Sequence, residues 1–471
     1  MEPRSLKFIA AACGGELSHG SQQTLVYRIC TDSRQAQEGD LFFALPGERF
    51  DGHDFLLEAI KKGVTAIVAE RGRLPANFRG CPVIRVGSTR QALVKLAAAH
   101  RKEFALPAVA VCGSNGKTMT KELIASVLRE KLATLWSEAS FNNDIGVPLS
   151  LLKLGKSHQA MVMEAGTNHP GELAPLIKLI EPKFGVVTTI GREHLEFFGE
   201  LSEVAQEEGW LAELLPADGI LFVDGDNEWT PKLIERTRAA VVRVGFSDAN
   251  DWRVRGLRTD AKGTTFSVDT LKKEFAGEYR INLLGRHQVL NAVFALAIGV
   301  ELGLERAEIE RGLAACKPAK MRLELGEFNG VQVLDDAYNA NADSTVAALQ
   351  TMQSLPCKGR RVAVLGDMAE LGSHSEAAHE EIGRRAAELG ADQLFAVGKM
   401  AAVIGRGARA AGLTRIFEFA DADAAGAALK SFSRAGDLVL LKASRAARFE
   451  RISAWMRASC EWGSGPTYTP R

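Results

Sequence analysis

The chain reads as an α/β protein of three consecutive domains, and three observations carry that reading. Its 471 residues exceed what one hydrophobic core normally organises. Short apolar runs alternate with helical stretches from about residue 107 onward, as in a parallel sheet covered by helices. Two breaks, Ala105-Leu106-Pro107 and Lys317-Pro318-Ala319-Lys320, divide the chain into 1–106, 107–317 and 318–471.

The elements follow in order. The first segment mixes strands expected at 64–69 and 82–86 with a helix over 89–104. The central segment carries apolar strands at 108–112, 160–163, 185–190 and 220–223, and helices at 117–132, 171–180 and 201–214. Residues 250–283 alternate charged and β-favouring residues, which predicts a small antiparallel patch beside the mostly parallel sheet. A helix follows Gly285, with apolar residues at helical spacing from 286 to 302. The last segment repeats the strand–helix pattern, with strands near 331–334, 361–365, 393–397 and 438–441 separated by Ala-rich helices, a Rossmann-like arrangement. The tail from Trp462 is rich in Gly, Pro and Thr and is expected to be loose.

Composition narrows the function. With 58 basic and 58 acidic side chains the chain has no basic excess, so no nucleic-acid partner is expected. The seven cysteines are scattered without a C-x-x-C pair, which predicts neither a disulfide framework nor a zinc site and suggests a reducing compartment. No apolar run reaches membrane-spanning length and no signal-peptide pattern opens the chain, so a cytoplasmic protein without membrane insertion is expected.

The most informative segment is 109–118, where an apolar run enters Gly113-Ser114-Asn115-Gly116-Lys117-Thr118. A glycine-rich turn at a helix N-terminus points backbone N–H groups at phosphate; Lys117 can reach the terminal phosphates and the Thr118 hydroxyl can ligate Mg²⁺. The strict P-loop spacing asks for glycine where Val111 stands, so this is a shortened variant. A nucleoside triphosphate site follows. Glu164, at the end of an expected strand, is a metal ligand or a helix cap; His194, in an expected loop, is a ligand or merely solvated. The run Asp335-Asp336-Ala337-Tyr338-Asn339-Ala340-Asn341 forms either a site or a turn held by Asx bonds. Arg445, after the strand ending at Leu441, could grip a carboxylate or stand in solvent.

These residues, with Thr31-Asp32-Ser33-Arg34, Asp51-Gly52-His53, Asn142-Asn143-Asp144-Ile145-Gly146, His194-Leu195-Glu196, Gly285-Arg286-His287, Arg322-Leu323-Glu324 and Leu365-Gly366-Asp367-Met368 with Glu370-Leu371-Gly372, resemble the Mur ligase family over nearly the whole chain. The Asp-Asp-x-Tyr-Asn-Ala-Asn and Gly-Asp-Met-x-Glu-Leu-Gly runs point to its D-Ala-D-Ala-adding branch, and the Asp-Asn-Pro-Arg motif of the diaminopimelate- or lysine-adding branch is absent. The resemblance implies an ATP- and Mg²⁺-dependent acid–amino-acid ligase of peptidoglycan synthesis, a monomer, joining D-alanyl-D-alanine to UDP-N-acetylmuramoyl-tripeptide. It implies a UDP-substrate-binding first domain, with Ser33 and Arg34 at the UDP moiety. The P-loop residues 113–118 would bind ATP, with His287 and Asn291 at adenine and Asp336 at the ribose. Lys117, Glu164, His194 and Arg322 would be catalytic, the site being complete only on domain closure. Thr118 and Glu164 would hold one Mg²⁺ and His194 would help hold a second. Asn142, Asn339, Ser444 and Arg445 would face the peptide substrates.

One departure matters. The family usually has a lysine fourteen residues after the metal-binding histidine, carbamylated so that it presents a carboxylate to the second Mg²⁺; that position here is Glu208. Glu208 is therefore expected to act as the metal carboxylate itself, making activity independent of CO₂. Its side chain falls on the order of 3–4 Å short at ~1.5 Å per bond, a gap that a water could span. Cys112, Met119, Ala342 and Ala443 are smaller departures that remove no charged group. The competing readings are a folylpolyglutamate synthase-type or other Mur ligase, and a nucleotide-binding scaffold that has lost turnover.

Overall fold

The computed structural model describes residues 1–47, 49–74 and 78–457; the tail expected to be loose and Cys460 lie outside them. Four sheets are present among these residues. A five-stranded sheet takes Glu16–Leu17, Val83–Val86, Ala66–Glu70, Asp40–Phe43 and Arg28–Cys30 in that order, parallel except for its first pair. A two-stranded ribbon joins Arg4–Ser5 to Leu25–Val26.

The central sheet has nine strands. From one edge these are Thr134–Trp136, Ala160–Glu164, Ala108–Cys112, Phe184–Val187, Ile220–Asp224, Ala240–Gly245 and Trp252–Asp260, all parallel. Gly263–Thr270 and Gly277–Ile281 then add antiparallel strands at the far edge, the patch expected from 250–283. The strands Ala108–Cys112 and Ala160–Glu164 are buried on both faces, which is why they read as unbroken apolar runs. The six-stranded sheet runs Glu324–Phe328, Val331–Asp335, Leu438–Lys442, Arg361–Gly366, Gln393–Val397 and Ile416–Phe419, parallel after an antiparallel first pair.

The fold class is α/β as expected, with differences in detail. Thr134–Trp136, Ala240–Gly245 and Ile416–Phe419 are strands that the hydrophobic pattern does not reveal, being short or partly exposed. The helix expected over 201–214 breaks at Gly209 into Leu201–Glu208 and Trp210–Leu214. The five-stranded and central sheets share one hydrophobic core, in which Leu93 and Leu96 of the helix Thr89–Arg101 meet Leu151 and Ile180 of the central segment. Buried His100 hydrogen-bonds through Nε2 to Leu154 O at 3.0 Å, and Arg101 donates to Ile180 O at 2.9 Å, so the two units are welded together. No helix among the described residues is long and apolar enough to cross a membrane, and the described cysteines are all free thiols.

Candidate active site

The strand Ala108–Cys112 lies where the central sheet changes direction: the chain continues to Ala160–Glu164 on one side and to Phe184–Val187 on the other. A crevice opens at the carboxyl ends of strands at such a point. The P-loop occupies it. Gly113 has φ +114°, and a Cβ there would sit 2.4 Å from Thr188 Oγ1; Gly116 has φ +85°, and a Cβ would sit 2.8 Å from Asn291 Oδ1. Left-handed backbone and close approach together demand glycine at both positions. Ser114 Oγ donates to Gly191 O at 3.0 Å and accepts from Gly191 N at 2.8 Å, while Thr188 Oγ1 donates to Asn115 O at 2.6 Å. The helix Lys117–Leu128 starts directly after, presenting its unpaired N–H groups to a cavity of about 610 Å³.

That cavity is a seam between the central segment and the last one. Lys117, Thr118, Asn142, Glu164, His194, His287 and Asn291 line it from one side, and Arg322, Asp336 and Asn339 from the other. Arg322 stacks its guanidinium 4.3 Å from the centre of the Tyr338 ring. Met321 and Leu323 on either side of it hold left-handed backbone, at φ +59° and +51°. Such conformations persist only where the surroundings impose them; here Asp336 Oδ1 accepts from Leu323 N at 3.1 Å and Met321 O accepts from Tyr338 N at 3.2 Å.

Side chains bridge the seam. Arg192 donates to Asp343 Oδ1 at 2.6 Å and to Glu381 Oε2 at 2.7 Å, and its backbone N–H donates to Asp343 Oδ2 at 2.7 Å. His194 Nδ1 meets Glu370 Oε2 at 2.5 Å, a bond that holds the Glu370 carboxyl below its ordinary pKa. Asn341 Nδ2 donates to Asn115 Oδ1 at 3.0 Å, tying the last segment to the P-loop itself. The two halves are therefore in contact around the cavity.

Lys117 is the electrostatic centre. Its ammonium donates to Gly113 O at 2.5 Å and lies 3.3 Å from Glu193 Oε2. Burial alone would lower its pKa, but the charges of Glu193, Glu208 and Glu164 outweigh burial and hold it above the ordinary value. Burial pushes Glu193 up to about 7 against the pull of Lys117, and raises Glu208 likewise. At the other end burial brings His287 down to about 4, so its imidazole is neutral near pH 7.

Three family models cover the chain: "Mur ligase family, catalytic domain" matches 25–101, "Mur ligase middle domain" 111–299 and "Mur ligase, glutamate ligase domain" 321–445. A Bacillus subtilis (strain 168) protein named UDP-N-acetylmuramoyl-tripeptide–D-alanyl-D-alanine ligase is 34% identical over 96% of this chain and 98% of its own. The chain belongs to the Mur ligase family. An Escherichia coli (strain K12) ligase of the same name is 36% identical over 90% of this chain and 92% of its own. Among solved structures, MurF from Acinetobacter baumannii superposes with a TM-score of 0.88 at 30% identity, over 97% of this chain and 99% of that one. MurF from Thermotoga maritima in complex with ADP gives 0.81 at 28%, over 93% and 98%.

Within this Mur ligase some expected site residues stand elsewhere. Ser444 lies outside the cavity lining: it is buried, donating to Ala340 O at 3.2 Å and accepting from Ala369 N at 2.8 Å, so it braces two loops. Arg445 lies outside the cavity, exposed beside Glu450 at 3.4 Å. In the first segment, Ser33 is buried on Glu58 at 3.0 Å and Arg34 is exposed on Asp32 at 2.8 Å; neither lines the cavity. Glu208 does not present its carboxylate to the cavity either. It is fully buried, and Oε2 accepts from Gly113 N at 2.7 Å.

Sequence reasoning missed Glu193 and Lys442. Lys442, nearly buried in the cavity wall, donates to Asp336 Oδ2 at 2.6 Å; its place directly after a strand was the available signal. The donors fit Mg²⁺ in an open form. Glu164 Oε2 and Glu193 Oε1 are buried carboxylate oxygens with no hydrogen-bond partner among the described residues, and both residues line the cavity. No group of three His, Cys, Asp or Glu closes on a metal among the described residues, so phosphate oxygens and water would complete the shell, the usual manner for Mg²⁺.

Proposed function

We propose that the chain is an ATP- and Mg²⁺-dependent cytoplasmic ligase, acting as a monomer, that joins D-alanyl-D-alanine to UDP-N-acetylmuramoyl-tripeptide. The observation that carries this is the seam, where a P-loop lysine, Lys117, and an arginine from the other half, Arg322, line one cavity. The substrate names come from relatives that match nearly the whole chain at 34–36% identity.

In this reading the γ-phosphoryl group of ATP passes to an oxygen of the tripeptide's terminal carboxylate, giving an acyl phosphate and ADP. The amine of D-alanyl-D-alanine then attacks the acyl carbon; the C–N bond forms, the C–O bond to phosphate breaks and the amine loses a proton. Lys117 and the P-loop N–H groups stabilise charge on the moving phosphoryl group, and Arg322 meets it from the opposite wall. Thr118 and Glu164 would hold Mg²⁺, which screens the phosphate charge when bound. Asn142, which donates to Glu164 Oε1 at 2.9 Å, fixes that carboxylate. Neutral His287 and Asn291 suit an uncharged adenine, with Asp336 at the ribose. Asn339 faces the peptide end, and the first segment receives the UDP moiety through Ser33 and Arg34. Positioning of this kind is worth roughly 7–11 kcal/mol.

Phosphate release from ATP with UDP-muramoyl tripeptide, measured with and without D-alanyl-D-alanine, tests the reading. Release strictly dependent on the dipeptide is expected. Nucleotide binding without such release would favour a silent scaffold, which the replacement of the family's lysine by Glu208 makes the competing reading.

A further inference from the structure

Three buried carboxylates surround one ammonium. Glu164, Glu193 and Glu208 each keep one oxygen without a hydrogen-bond partner among the described residues, Oε2, Oε1 and Oε1 respectively. A buried carboxylate oxygen left unpaired is costly, and Lys117 alone does not balance three such groups. Of the three, Glu208 is turned away from the cavity and spent on Gly113 N. Glu193 is 7% exposed, lines the cavity, and sits beside the next residue's imidazole: its Oε2 is 3.8 Å from His194 Nε2. His194 is held in left-handed backbone at φ +50°, and Glu370 from the far side of the seam takes its Nδ1, which leaves Nε2 as the free ring nitrogen. Adjacent ligand atoms on one octahedral Mg²⁺ or Mn²⁺, each about 2.1 Å from the ion, lie roughly 3 Å apart, so the 3.8 Å separation closes to that spacing with a side-chain movement of about 1 Å.

We propose that Glu193 and His194 Nε2 are the protein ligands of the second divalent cation that accompanies ATP, and that Glu208 is a brace of the P-loop rather than a ligand. This deepens the ATP–Mg²⁺ reading above and rests on it. In the structure Lys117 lies 3.3 Å from Glu193 Oε2. Triphosphate draws the ammonium away, and the carboxylate it leaves receives the cation. Glu370 is then a positioning residue: through Nδ1 it aims the imidazole, so the second cation site forms only when the two halves meet. This lets a chain without the family's lysine keep a carboxylate at the cavity.

The test is the number of Mn²⁺ ions bound per full-length chain in saturating β,γ-methylene-ATP, counted from the electron paramagnetic resonance of free Mn²⁺. Two are expected for the wild type. Glu193→Gln should keep nucleotide and one ion while weakening the second at least tenfold, Glu193→Asp should recover part of that loss, and Glu208→Gln should keep both ions. Retention of both ions at unchanged affinity in Glu193→Gln would overturn the proposal, because a shared proton would then explain the unpaired oxygens. Loss of the second ion in Glu208→Gln, with both retained in Glu193→Gln, would make Glu208 the ligand and overturn it equally. A wild type that binds nucleotide with one ion would instead defeat the two-cation reading beneath it. Unchanged melting temperatures separate these results from misfolding.

Discussion

The two walls of the cavity are built by different physics. The P-loop wall is fixed by short-range backbone geometry: two glycines at positive φ, a hydroxyl locked on Gly191 and a loop carbonyl held by Thr188. The opposite wall reaches the site through side chains that cross the seam, with Arg192 on Asp343 and Glu381 and His194 on Glu370. One wall exists whenever the central sheet is folded; the other exists when the halves are together. The first segment contrasts with both, since its core is continuous with the central one. A ligase that must admit a nucleotide and two further substrates, then exclude water, gains from having one rigid wall and one that docks.

Breaking the rigid wall should have the larger effect. Lys117→Ala removes the phosphate-facing charge and is expected to lower kcat/KM on the order of 10³-fold, measured by phosphate release, and to lower the melting temperature as well, because the buried carboxylates around it lose their counter-charge. It also frees Glu193, so nucleotide-free Lys117→Ala should bind Mn²⁺ more tightly than the wild type. Breaking the docking wall should cost less. Arg192→Ala deletes charge-assisted bonds that are partly exposed, so the loss is about 1–2 kcal/mol, or roughly 5–30-fold in kcat/KM. Small-angle scattering should then show a larger radius of gyration for the variant without nucleotide, while the fold of each half is kept.

A third test sharpens the same contrast through pH. His287 falls from 6.5 in the unfolded chain to about 4 in the folded one. The unfolded state therefore takes up the proton first, and the stability this group gives above pH 6.5 is lost as pH falls towards 4. His287→Gln should flatten that part of the urea midpoint-versus-pH curve. Equal slopes for variant and wild type would place the imidazole in a wetter setting than the cavity wall.

The legible parts of the sequence were those whose cause is local. The P-loop could be read because its turn, lysine and helix start lie within ten residues, and the edge patch because its charge alternation is continuous over 250–283. What escaped depends on partners far along the chain. Arg192 lies 151 residues from Asp343, and nothing near either residue announces the pair. Glu193 was passed over beside the more familiar His194, because its meaning comes from Lys117 folding back on it. Ser444 shows the same dependence: its hydrogen bonds to Ala340 and Ala369 join it to residues distant in sequence, which no local pattern announces. Glu208 occupied the place the pattern marks, but its carboxylate is held by Gly113 N, 95 residues away in the sequence.

The most direct measurement is mass analysis of the product formed from ATP, Mg²⁺, UDP-muramoyl tripeptide and D-alanyl-D-alanine in buffer stripped of CO₂ and bicarbonate. One amide-linked pentapeptide product per phosphate released, at a rate unchanged by added bicarbonate, is the expected result. Phosphate release without that product, or activity restored only by bicarbonate, would contradict a ligase whose own carboxylates complete the site.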